Sequence, residues 1–123
     1  MSLAALLVLF TATATHDVPR NDPCVRREDM ETWIKQQKSL WTARLADEIG
    51  YTVPDALEVC ELHARRPYTD VPAGRIYARA IATVDDQVSL VHEYLHLALR
   101  NHPHGRDETY VENLARELVH VGD

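Results

Sequence analysis

The most constraining feature of this chain is a strongly apolar segment whose polar residues fall on one line. A helix is expected from Asp85 or Asp86 to about Arg100, and at about 100° per residue apolar side chains cover most of its surface. The polar stripe that remains comprises Ser89, His92, Glu93, His96 and Arg100. Polar groups on an otherwise buried helix must find partners, so this stripe is the first place to look for chemistry.

The stripe contains His92, Glu93 and His96 in the pattern HExxH. Histidines at i and i+4 lie one turn apart on the same face, so both imidazoles can reach a single Zn²⁺. Glu93 is placed to accept a proton from a water molecule that the metal activates. The alternative is a core helix whose two histidines hydrogen-bond to backbone or carboxylate groups. We predict a zinc site with His92 and His96 as ligands and Glu93 as general base.

A catalytic zinc site needs a third protein ligand and keeps a fourth position open for water. His102 follows the first histidine by ten residues, as in HExxHxxGxxH, but Leu99 stands where that pattern has its helix-ending glycine. Glu112 lies at the inward edge of the last predicted helix, which a short loop should fold back antiparallel onto the HExxH helix. We expect Glu112 to be the third ligand, ahead of His102 and then Glu108; its alternative is a surface pair with Arg116.

The remaining periodicity predicts a small α+β domain. The chain has 123 residues, which suits one domain, and 46% hydrophobic against 26% charged residues favours a globular fold. An amphipathic helix is expected over 29–49, just before Gly50, and a strand over 75–83. A short helix is a candidate near 55–60, and Asp107 should cap a last helix that packs on the HExxH helix.

The first residues have the character of an export signal. Residues 3–10 form a continuous apolar run, and the small residues that follow offer a cleavage site after Ala14. We therefore assign residues 1–14 to a signal peptide or membrane anchor and residues 15–123 to a single domain. The alternative is a buried strand, because neither Lys nor Arg precedes the run. The expected location is secreted or periplasmic, with membrane anchoring only through residues 3–14.

The two cysteines and the net charge narrow the function classes further. Cys24 and Cys60 have no CxxC partners, so a thiolate zinc site is not supported. In an oxidising compartment they should form a disulfide, whereas a cytosolic chain would keep two free thiols. The net charge of −6 and the absence of a basic run argue against nucleic-acid binding.

The HExxH motif with a downstream glutamate resembles the zincin metallopeptidases, and within them the gluzincin branch. The resemblance covers about residues 75–121 and implies His92 and His96 as zinc ligands, Glu93 as general base and Glu112 as third ligand. It implies zinc-dependent hydrolysis of peptide bonds in a peptide or protein substrate.

The same resemblance implies a zincin-like fold with an antiparallel edge strand before the active helix, along which an extended peptide lies. The predicted strand over 75–83 is in the right place for this role. The sequence departs from thermolysin-type enzymes at Arg116, where those enzymes carry an Asp four residues after the ligand Glu.

A second resemblance points to a less defined group. The sequence His-Glu-Tyr-Leu-His-Leu-Ala over 92–98, followed by His102-Pro103, is similar to the C-terminal part of uncharacterised secreted bacterial proteins encoded beside bacterial α2-macroglobulins. Two other functions stay open besides peptide hydrolysis. One is a non-catalytic, vestigial zinc-binding interaction module of the periplasm, and the other is a zinc hydrolase that acts on a different substrate.

Overall fold

The computed structural model describes residues 22–121, so the predicted signal or anchor segment 1–14 lies outside the described residues. The elements are three helices and three short strands: α1 (Glu28–Leu45), β1 (Glu58–Glu61), β2 (Tyr68–Asp70), β3 (Arg75–Ala78), α2 (Val84–Ala98) and α3 (Glu108–Val121). The predicted α+β class is confirmed. Within this range no helix combines the length and the apolarity that a membrane crossing requires.

The three strands form one sheet in the order β1-β3-β2. β1 runs parallel to β3, and β2 pairs antiparallel with β3. Two predictions are wrong here. The candidate helix near 55–60 is strand β1, whose pairing partner lies far along the chain. The strand expected over 75–83 ends at Ala78 and is the central strand, not the edge strand.

α2 lies at the centre of the hydrophobic core, between the sheet and α3. Its first turn is closed by a capping box, in which the Thr83 hydroxyl accepts from the Asp86 N–H and the Asp86 carboxylate accepts from the Thr83 N–H. The N-cap is therefore Thr83 rather than Asp85 or Asp86. The buried face of the helix contributes Val88, Leu90, Val91, Tyr94, Leu95, Leu97 and Ala98.

α1 matches the amphipathic helix expected over 29–49, although it ends four residues earlier, at Leu45. A buried carboxylate ties it to the sheet: Glu31 accepts hydrogen bonds from the Arg26 guanidinium and from the Val59 N–H of β1 at 3.0 Å. Burial alone would raise the pKa of Glu31, but the hydrogen bonds from Arg26 and Val59 outweigh it and leave that pKa below its usual value.

The predicted disulfide between Cys24 and Cys60 is present. Cys60 is fully buried on β1 and belongs to a small apolar cluster with Leu62, Tyr68 and Tyr77. The rings of Tyr68 and Tyr77 stack at 4.6 Å between centroids. The bond therefore fastens the segment before α1 to the face of the sheet that is turned away from α2.

We expect the double substitution Cys24→Ala/Cys60→Ala to lower the free energy of unfolding by about 3–4 kcal/mol, because the bridge closes a loop of 36 residues in the unfolded chain. Urea unfolding measures this, with the wild type under reductant as the control. A thiol titration of unfolded, unreduced wild type should find no free thiol. Equal urea midpoints for the variant and the oxidised wild type would contradict the account.

Candidate metal centre

The centre forms where α2 and α3 pack against each other. His96, in the last turn of α2, meets the loop at Gly105 and the first residue of α3, Glu108. His92, one turn earlier, meets Glu108 and also Glu112, one turn later in α3. This order of contacts means that the two helices run antiparallel, as the sequence predicted. The predicted cap of α3 is also confirmed, since Asp107 accepts from the N–H groups of Thr109 and Tyr110.

Both histidines direct the same ring atom at one carboxylate oxygen. The Oε1 atom of Glu108 lies 2.7 Å from Nε2 of His92 and 3.1 Å from Nε2 of His96. The two rings meet edge to face with centroids 5.0 Å apart. The side chains of His92 and His96 are 13% and 11% exposed, whereas that of Glu108 is 44% exposed, so the contact that the three share is open to solvent.

The other nitrogen of each ring is held by an acceptor. Nδ1 of His92 lies 2.7 Å from the Glu112 carboxylate, and Nδ1 of His96 lies 3.0 Å from the Gly105 carbonyl oxygen. Both partners are acceptors, so the tautomer with the proton on Nδ1 satisfies them and turns the lone pair of each Nε2 toward Glu108. In that tautomer a cation bound by the Glu108 carboxylate would be within reach of both Nε2 atoms.

This donor set fits a zinc ion. One ligand atom from each of His92, His96 and Glu108 falls within 4.8 Å of the other two. Two imidazoles and one carboxylate are a typical protein set for catalytic zinc, which keeps one more position for water. Metal-ligating histidines usually donate their second N–H to a carboxylate or a backbone carbonyl. Glu112 and Gly105 provide both kinds of partner.

The third ligand stays a prediction, but the geometry reorders the three candidates. Glu108, ranked last of them, faces both Nε2 atoms, whereas Glu112 reaches only the outer Nδ1 of His92. Glu112 also forms the ion pair with Arg116 that was the alternative to its role as ligand, at 2.8 Å. The tight turn at Gly105 brings the first turn of α3 against the end of α2. Glu108, one turn before Glu112 in α3, therefore occupies the position expected for Glu112.

His102 does not join this group. Its Nδ1 accepts from the His104 N–H at 2.9 Å, and its Nε2 lies 3.1 Å from the Glu48 carboxylate. Glu48 accepts from the Tyr110 hydroxyl and from Arg44. Burial favours a raised pKa for Glu48, but these hydrogen bonds and the charge of Arg44 leave that pKa lowered. His102 is therefore part of a buried network that fixes the loop before α3.

Glu93 lies in the same stripe but turns toward the sheet. It is only 5% exposed, and its Oε1 atom accepts from the Thr69 hydroxyl of β2 at 2.8 Å. The same hydroxyl lies 2.9 Å from the Glu93 backbone carbonyl oxygen. Sequence reasoning did not identify Thr69, because a threonine in a three-residue strand carries no signal until the register of that strand is known.

Two clefts open on either side of Glu93 and Glu108, which line both of them. One, of about 480 Å³, runs along His92 toward Arg66 and Arg79. The other, of about 570 Å³, runs along His96 toward Arg100 and has apolar walls at Val71, Pro72 and Pro103. A ligand that spans the centre would therefore contact both clefts.

The sequence matches a family model described as "Predicted secreted protein (DUF2300)" over residues 4–104. It is also 40% identical over 89 residues to a protein of Escherichia coli (strain K12) described as "Uncharacterized protein YfaQ". That match covers 72% of this chain and 16% of the relative, so the chain spans about one sixth of the relative's length. No solved structure matches. The family description agrees with the predicted secretion and with the predicted resemblance to uncharacterised secreted proteins.

We expect Glu108→Ala to weaken zinc binding by about 100-fold or more, because it removes the oxygen that faces both histidines. Glu112→Ala should weaken binding by about tenfold, in the range of residues that orient a ligand. His102→Ala, with its folding verified by circular dichroism, should have a far smaller effect. Competition titrations with a chromogenic chelator measure all three. A larger loss for Glu112→Ala than for Glu108→Ala would restore the ranking that the sequence suggested.

We expect Gly105→Ala to lower both stability and zinc affinity. A Cβ at this position would lie 2.0 Å from the Leu99 carbonyl oxygen, so the loop must shift and move the carbonyl that holds His96. Gly74→Ala is the matched control, since it also meets backbone, with its Cβ 2.8 Å from the Ala56 oxygen, but lies in the turn before β3. Zinc affinity equal in the two variants would show that the Gly105 carbonyl does not orient His96.

Proposed function

The chain belongs to the DUF2300 family of predicted secreted proteins, and we propose that it is a zinc-dependent peptide hydrolase within that family. In this proposal His92, His96 and Glu108 hold the zinc, while Glu112 and the Gly105 carbonyl orient the two rings. The observation that carries it is that the Nε2 atoms of His92 and His96 meet at one oxygen of Glu108, while both Nδ1 atoms face other acceptors.

Zinc, when bound, lowers the pKa of water and polarises a carbonyl group. Glu93 provides the proton transfer: it accepts a proton from the attacking water and later donates it to the departing amine. Its burial keeps it in a medium where charge interactions are stronger than in water. The Thr69 hydroxyl fixes one oxygen of the Glu93 carboxylate and so sets the orientation of the whole carboxylate.

A peptide is the substrate class that the surroundings of the centre favour. The two clefts give room on both sides of Glu93, as an extended chain cleaved in its middle requires. β2 has one sheet neighbour among the described strands, and it carries Thr69 beside Glu93. An extended peptide could pair with the outer edge of β2 through backbone hydrogen bonds. This role thus passes from the segment 75–83, where the sequence put it, to Tyr68–Asp70.

The hydrogen bond between Thr69 and Glu93 also favours a second candidate function. Because Thr69 already satisfies one oxygen of Glu93, the carboxylate has a structural role that needs no substrate. The chain would then be a zinc-binding interaction module without turnover. The two proposals share the metal ligands and differ in the role of Glu93.

We expect Glu93→Gln to bind zinc normally and to lower the rate of peptide hydrolysis by about 100-fold or more, because the amide keeps the shape and cannot accept the proton. The measurement pairs elemental analysis for zinc with chelator-sensitive cleavage of casein or peptide libraries. Glu28→Gln, an exposed acid in the first turn of α1, is the matched control. Full zinc occupancy in wild-type protein that cleaves nothing would favour the interaction module.

A further inference from the structure

Two arginines line one of the two clefts beside the metal centre. Arg66 lies in the loop before β2 and Arg79 directly follows β3, and both line the cleft that also contains His92 and Glu93. Within residues 22–121 neither guanidinium forms a hydrogen bond or an ion pair. The pKa of Asp86 is lowered mainly by the Ala82 N–H, and the Arg79 charge is the weakest of the causes.

The ends of two neighbouring strands bring these two charges together. β2 and β3 pair Tyr68 with Tyr77 at the end of their antiparallel ladder. Arg66 and Arg79 lie just beyond that pair on the two chain segments, and both line the same cleft. Two like charges in one cleft repel each other, and a shared anion would remove the repulsion. Guanidinium groups suit carboxylates in particular, because their N–H donors match the two oxygens.

The acidic side chains of the cleft do not serve as that anion. Glu112 is engaged by His92 and Arg116, and Glu108 by both histidines. Glu93 is bound to Thr69. The three carboxylates therefore gather at the metal centre, and the two arginines add positive charge to the lining of the same cleft.

We infer that Arg66 and Arg79 form a subsite that binds a carboxylate of the peptide substrate, next to the bond that is cleaved. The inference rests on the proposed peptide hydrolysis and names its substrate class, a peptide with a negative charge on the His92 side of the centre. The carboxylate has two sources, an acidic side chain or the free carboxyl terminus.

The test is a binding measurement that needs no turnover. Three fluorescein-labelled pentapeptides are titrated into zinc-loaded Glu93→Gln protein at 0.15 M salt (an assay condition set by the Debye length) and followed by anisotropy. The first peptide has a Glu side chain and an amidated C-terminus. The second has Gln in place of Glu and a free C-terminal carboxylate. The third has Gln and an amidated C-terminus. If Glu93→Gln does not fold, the same titrations use chelated wild-type protein.

At least one carboxylate peptide should bind about tenfold tighter than the neutral one, and Arg66→Gln/Arg79→Gln should abolish this preference. Arg100→Gln, which removes one positive charge from the other cleft, should preserve it. The peptide that binds more tightly than the neutral one shows whether the carboxylate comes from a side chain or from the C-terminus. Equal affinity for all three peptides, or an equal loss in Arg100→Gln, would overturn the subsite.

The subsite and the hydrolysis can fail separately. If wild-type protein binds acidic peptides through the two arginines but cleaves none of them, the proposed hydrolysis is contradicted and the subsite is supported. If it cleaves neutral and acidic peptides with equal kcat/KM, and Arg66→Gln/Arg79→Gln leaves these values unchanged, the hydrolysis is supported and the subsite is contradicted.

Discussion

The packing of α2 against α3 depends on satisfying two histidines within an otherwise apolar interface. His92 and His96 are nearly buried, and each nitrogen of the two rings faces an acceptor in α3 or in the loop before it. A buried polar group without a partner destabilises a fold by about 1–3 kcal/mol. The loop that ends α2 must therefore be short and must return the chain at a fixed angle. The loop that gives the two histidines their partners therefore also fixes how α2 and α3 pack against each other.

That constraint extends to both ends of the loop. Gly105 lets the backbone approach Leu99 more closely than a side chain would allow, and its carbonyl faces His96. His102 is held by Glu48 and stacked on Tyr110, so the middle of the loop is fixed as well. On the other side of α2, Thr69 fixes Glu93 to the sheet. The proposed metal ligands and the proposed base are held by separate elements on either side of α2.

The sequence predicted those features of the fold that depend on neighbouring residues in the chain. The α2 helix, its polar stripe and the Asp107 cap follow from periodicity and capping chemistry, and the antiparallel return of α3 follows from the short loop. Which glutamate faces the two histidines depends on how far α3 is offset along α2. Glu108 and Glu112 lie one turn apart on the same helix, and periodicity cannot tell which one faces both rings, because the turn at Gly105 sets the offset between the helices.

The sheet shows the same limit. β1 has four residues and pairs with a strand that begins fourteen residues after β1 ends, so no local pattern distinguishes it from a short helix. β3 reads as a strand in the sequence, but its central place depends on β1 and β2, and this in turn decides which strand forms the edge beside Glu93. That Arg66 and Arg79 line one cleft also becomes visible only when β2 and β3 are known to be neighbours.

The most direct test of the central claim is anomalous diffraction at the zinc edge from crystals of the zinc-loaded protein. The account predicts one strong anomalous peak at bonding distance from Nε2 of His92, Nε2 of His96 and a carboxylate oxygen of Glu108, with Glu112 hydrogen-bonded to the outer nitrogen of His92. A peak that Glu112 or His102 ligates in place of Glu108, or no peak at this position in protein equilibrated with excess zinc, would contradict it.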